Sequence, residues 1–146
     1  MAQAIKLDDK PKALKIGIVP CNGEEICEGT LTRFACRKVL DELRPGQTVT
    51  LCLPLFIAGD EKERNFANRF PTITVDGCEK RCSQISTEKL SGKPAYSLVV
   101  SDVLQKHGIS LSDTRRVLTD EGQAAVNVLA EEIAKKVDEI LAGQGG

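Results

Sequence analysis

Four short apolar runs recur along the chain, each separated from the next by a helix-type segment: KIGIVP (15–20), TVTLCLPLF (48–56), TITVDG (72–77) and AYSLVVSD (95–102). They read as strands that are apolar throughout rather than alternating, as strands buried on both faces do. Between them, GTLTRFACRKVLDEL (29–43) places Leu31, Ala35, Val39 and Leu43 on one helical face, and Pro45-Gly46 ends it. GDEKERNFANRF (59–70) predicts a short charged helix stopped by Pro71, and EKRCSQISTEKLSG (79–92) predicts another with a glycine stop. A short helix over 102–107 should end at Gly108. A long one should run from about Asp120 to Leu141, with Val126, Leu129, Ile133, Val137, Ile140 and Leu141 as its stripe and Gly143 just beyond. Strands and helices in this alternation require a parallel sheet with helices on both faces. The expected fold is α/β: right-handed crossovers give one doubly wound, mainly parallel sheet of about four strands, for which 2-1-3-4 is a trial order that the crossovers do not fix.

A chain of 146 residues with 41% apolar residues suits one such domain. Residues 1–13 read as a loose polar tail, 14–142 as the domain and 143–146 as a short C-terminal tail. Twenty basic against 21 acidic residues give a formal charge of −1, which argues against a nucleic-acid surface. The longest apolar run, LCLPLFIA (51–58), is interrupted by proline and far too short for a bilayer. The N-terminus lacks the apolar core of a secretory signal. The expected location is therefore the cytoplasm, where six cysteines are not a disulfide scaffold. His107 is the one histidine, so any metal or redox chemistry must rest on thiols.

The cysteines recur with the strands. Cys21 closes the first, Cys52 lies near the end of the second, and Cys78 follows the third directly. Equivalent positions in successive parallel units meet at the carboxyl edge of the sheet, where open α/β sheets place their sites. Neighbouring strands lie about 4.8 Å apart, and sulfurs around a tetrahedral zinc about 3.8 Å apart, so adjacent strand ends suit a shared ion. The fourth thiol comes from Cys78-Glu-Lys-Arg-Cys82. If a helix starts at Cys78, the i, i+4 spacing puts Cys78 and Cys82 on one face, at an N-terminus that favours thiolate. Asp76 is placed to cap that helix or to support the site, Gly77 to let the backbone pass close to the ion, and Lys80 and Arg81 to offset the thiolate charge. Cys36, on a helix at core spacing, reads as a small apolar core residue.

TVDGCEKRC (74–82) completes a recognisable pattern. With KIGIVPCNG, CLP, AGDEKER and the terminal EGQAAVNVLAEEI, the chain resembles the DGC-domain family of small zinc-binding proteins, named for the triplet seen here as Asp76-Gly77-Cys78. The resemblance implies four characteristic metal-binding cysteines, matched here by Cys21, Cys52, Cys78 and Cys82. It implies a metal site rather than an activity. Cys27 and Cys36 lie outside the pattern, although Cys27 is close enough to Cys21 to compete as a ligand.

Other readings use the same residues. An iron–sulfur cluster takes the same four thiolates. A thiol–disulfide relay would use Cys21 with Cys27 or Cys78 with Cys82, neither of which is a C-x-x-C pair. A phosphatase loop of the C-x5-R type after the first strand fails twice. Cys27 stands where the arginine belongs, and Glu24 and Glu25 would repel a phosphoryl dianion. No residue set identifies a catalytic partner. Arg115 and Arg116 read as a solvated pair, His107 as a favourable charge at a helix end, and the terminal stripe as packing on the sheet, with a homodimer interface second.

Overall fold

The computed structural model describes residues 14–111 and 117–145. The expected tail over 1–13 and the pair Arg115 and Arg116 lie outside the described residues. The elements run β1 (Ile16–Pro20), α1 (Cys27–Lys38) continuing into a π turn (Val39–Leu43), β2 (Thr48–Val49), α2 (Leu53–Ala58), α3 (Glu61–Arg64), α4 (Phe66–Arg69), β3 (Thr72–Asp76), α5 (Cys82–Leu90), β4 (Tyr96–Val99), α6 (Val100–Lys106) and α7 (Asp120–Gly145). The four strands form one parallel sheet in the order β2-β1-β3-β4, the expected topology. Among the described residues no helix is long and apolar enough to cross a membrane.

The two sheet faces differ in chemistry. On one, Ile16, Ile18, Ile73, Val75 and Leu98 pack against Leu31, Ala35 and Val39 of α1 and its continuation, and against Leu129, Ile133 and Val137 of α7. This is the main core, and Cys36 is fully buried in it, as its spacing predicts. On the other face lie Gly17, Thr72 and Thr74. A Cβ at Gly17 would strike the Phe66 ring of α4 and come within 2.9 Å of the Thr72 hydroxyl. The threonines are buried but satisfied: Thr72 donates to the Phe70 carbonyl (2.7 Å), and Thr74 pairs with the Ser97 hydroxyl (2.8 Å). So β3 does alternate, threonine against isoleucine and valine. Burial of both faces hides that alternation from a reading based on polarity, because satisfied threonines serve as core.

One strand expectation fails. LCLPLF is not the continuation of β2, which stops at Val49; Leu53–Ala58 is helix α2. Pro54 sits in the first turn, where its missing N–H costs nothing, and Gly59 closes the helix in the left-handed region at φ 104°. The charged segment 59–70 likewise divides into two single-turn helices about Asn65. At the C-terminus, α7 runs past Gly143, so that glycine is not its stop.

Candidate metal centre

The first loop at the carboxyl edge, 21–26, is folded around one hydroxyl. Buried Thr32 of α1 donates to the Gly29 carbonyl (2.7 Å) and accepts the Asn22 N–H (3.1 Å). The Cys21 Sγ lies 3.8 Å from the same oxygen. Asn22 takes a left-handed conformation (φ 56°), one that asparagine tolerates better than most residues, which turns the chain sharply after Cys21. Gly29 then lets the loop close on the helix: a Cβ there would collide with the Gly23 carbonyl.

The second loop, 77–81, packs at Gly77 on the first turn of α1. A Cβ there would stand 2.9 Å from the Gly29 nitrogen. Asp76 at the end of β3 reaches across this loop to the next helix. One carboxylate oxygen accepts the Ser83 N–H (2.6 Å) and the other the Gln84 N–H (3.1 Å). The expected capping role therefore holds, although the residue preceding the helix is Arg81. Ser83 donates in turn to the Val19 carbonyl (2.7 Å), which ties α5 to β1. Burial pushes the Asp76 carboxyl above its ordinary range; the two N–H groups and the Arg81 charge work in the opposite direction.

The helix does not start at Cys78. Residues 78–81 form a turn closed by the Arg81 N–H on the Cys78 carbonyl (3.2 Å), and Arg81 is left-handed (φ 54°). Cys78 and Cys82 are therefore not an i, i+4 pair on one helical face. Cys82 is the first residue of α5, and Cys78 stands before it in the turn.

These two loops enclose a pocket of about 380 Å³. Cys21, Cys78 and Cys82 line it, with Glu24, Glu25 and Ile26 from the first loop and Lys80 and Arg81 from the second. Cys21 and Cys78 are half-buried and Cys82 is exposed. Cys52 is not in this lining. It precedes α2, its N–H donates to the Glu63 carboxylate (2.9 Å), and it lines an adjoining pocket of about 240 Å³ with Arg33, Arg37 and Cys36. The end of β1 separates the two spaces, Pro20 and Asn22 lining the second and Cys21 and Gly23 the first.

The remaining thiols are committed elsewhere. Cys27 opens α1 and directs its S–H at the Glu28 carboxylate (3.2 Å). The thiol of Cys36 is pushed far above its ordinary range by burial, with the neighbouring Cys21 adding to the effect. His107 ends α6 with its Nε2 3.1 Å from a Glu132 oxygen, a surface contact that holds the Glu132 carboxyl below its ordinary range.

The donor chemistry of the first pocket fits a soft metal ion, with three thiols and no competing imidazole. The thiols are gathered but not closed: among the described residues no three histidine, cysteine or acidic side chains stand where one ion joins them. Sequence reasoning missed the division of the edge into two pockets, and the signal for it was Pro54, which marks a helix start beside Cys52. It also missed Thr32, whose role depends on a fold-level contact that no local pattern announces.

A family model described as DGC domain matches residues 17–140, a span that includes Cys21, Cys52, Cys78 and Cys82. No curated protein and no solved structure matches the chain.

Proposed function

Because the chain belongs to the DGC-domain family, we propose that its carboxyl-edge pocket is a thiolate metal site and that the ion is zinc. The observation that carries this reading is the convergence of Cys21, Cys78 and Cys82, from two separate loops, on one pocket. Packing alone does not account for it, since buried cysteines serve as small apolar residues and these three are half-buried or exposed. Zinc has no geometric demand from its d electrons and accepts ligands from flexible loops. Cys21, Cys78 and Cys82 are the core ligands, and Cys52 is the fourth thiol of the edge, held in the adjoining space. Lys80 and Arg81 offset the thiolate charge. Bound there, zinc would cross-link the two loops and act as a Lewis acid toward whatever occupied a remaining position.

Metal analysis with an absorption spectrum, on protein purified without oxygen, tests this. The expected result is about one zinc per chain in a colourless solution, with Cys78→Ser lowering metal content and melting temperature together. A brown solution with iron and sulfide would replace zinc by an iron–sulfur cluster. No metal, with thiols that oxidise in pairs, would replace it by a redox relay.

A further inference from the structure

The pocket beyond the end of β1 differs from the thiol pocket in charge. It has a volume of about 240 Å³, and Arg33 and Arg37, one turn apart on α1, both line it. No aspartate or glutamate is in that lining. A smaller space of about 200 Å³ also touches Arg33, but it carries the Glu24 carboxylate, which disfavours an anion there.

Two carboxylates stand outside the lining. Asp41 accepts hydrogen bonds from Nε and Nη2 of Arg37. Both side chains are half-exposed, so the pair is screened, and Nη1 is left for another acceptor. Glu63 accepts the Cys52 N–H (2.9 Å). Arg33 belongs to no ion pair among the described residues. The Arg37 charge also reaches the inner wall, where it acts on the fully buried Cys36 thiol.

The rest of the lining narrows the ligand. The Thr50 hydroxyl donates to the Ile18 carbonyl (2.7 Å) and the Cys52 N–H is taken by Glu63, so neither is left for a ligand. The two guanidiniums are. Val19, Leu40, Leu51 and Leu53 supply apolar wall. Against that wall a phosphate would lose hydration without compensation, whereas an alkyl chain gains by burial. A guanidinium fork matches a carboxylate in shape and charge. An ammonium group would face two cations. The volume lies below the roughly 300–1,000 Å³ of drug-sized ligands, which keeps the occupant small.

We infer that this pocket binds a short aliphatic monocarboxylate. Its carboxylate sits on Arg33 and the free edge of Arg37, and its alkyl chain lies against Leu40, Leu51 and Leu53. No bond is made or broken, and no metal takes part.

Calorimetric titration of the full-length protein with isovalerate, acetate, isovaleramide, L-valine and inorganic phosphate tests this. Isovalerate should bind most tightly. Isovaleramide, which lacks the charge, and acetate, which lacks most of the chain, should each bind about tenfold or more weakly. Arg33→Gln should weaken isovalerate about tenfold with the melting temperature unchanged, since this side chain is exposed. On adding isovalerate, the backbone amide NMR signals that move should be those of 33–40 and 50–53. Affinity should be the same after treatment with a strong chelator, which separates this site from the zinc reading. Phosphate or acetate binding as tightly as isovalerate overturns the inference in favour of a bare anion site. Equal binding of isovaleramide or L-valine, an unchanged affinity in Arg33→Gln, or no binding of isovalerate at millimolar concentration overturns it outright. Loss of binding on chelation places the carboxylate on the metal and overturns it as well.

Discussion

Asp76 gives both carboxylate oxygens to backbone N–H groups of the following helix, at 2.6 and 3.1 Å, while lining the same pocket as the three thiols. Asp76→Ala should lower stability by about 2 kcal/mol, as loss of a helix cap and of a buried acceptor does, measured by chemical denaturation. The sign with pH follows from its raised carboxyl. The folded protein takes up this proton more readily than the unfolded chain does. Acidification from neutral pH into the carboxylate range should therefore stabilise the wild type relative to Asp76→Asn. Gly29 makes the opposite point about propensity. Alanine in a helix ordinarily gains about 1 kcal/mol over glycine, but here its Cβ would collide with the Gly23 carbonyl. Gly29→Ala should lower the melting temperature and, by pushing the first loop off the start of α1, reduce metal content. The sequence shows both residues plainly. Asp76 can be assigned a cap because a cap is local, whereas the partner of Gly29 is set by how a loop folds back, which the residues around it do not encode in any pattern.

At the level of elements, local punctuation decides what is legible. Pro45-Gly46, Pro71 and Gly108 mark real ends, and the strand order β2-β1-β3-β4 is one that right-handed crossovers allow without fixing. The apolar run 51–58 is ambiguous because a short hydrophobic stretch suits a buried strand or a buried helix equally. Pro54 and Gly59 resolve it as α2. The π turn after α1 has no sequence signature, but its purpose is visible. It ends at Arg44, whose guanidinium makes two hydrogen bonds, at 2.8 and 2.7 Å, to Asp138 of α7. That pair holds the Asp138 carboxyl below its ordinary range. Its contribution is therefore present at neutral pH and is lost as pH falls through the depressed value. The Asp138 side chain is 53% exposed, so the effect is screened. Arg44→Ala should cost less than about 1 kcal/mol at neutral pH, with the difference shrinking in high salt and in acid.

Across the whole molecule, the recurrence of cysteines at strand ends points to the carboxyl edge from the sequence alone. Three of the four thiols line one pocket there. Cys52 lines the adjoining pocket for the same reason that the run 51–58 resembles a strand: β2 ends at Val49, which leaves Cys52 at a helix start. If the metal joins the two loops, it contributes folding energy that a chelator removes. A strong chelator should lower the melting temperature of the purified protein and leave that of Cys78→Ser unchanged.

The shortness of β2 has a consequence for how copies of this chain meet. Open sheets invite a neighbour's strand onto their free rim, a route to fibrils and swapped dimers. Here that rim is nearly absent. Beyond Val49 the Thr50 hydroxyl donates to the Ile18 carbonyl (2.7 Å) where another backbone would dock. Gly17 and Cys21 donate toward β3, and Ile16 toward the segment leading into β2. By that alternation Ile18 is the next donor due on the β2 side, and the one after it would be Pro20, which has no N–H. The outermost strand on that side offers an incoming chain two residues and then a stop, which leaves little backbone for strand addition to pair with on that rim.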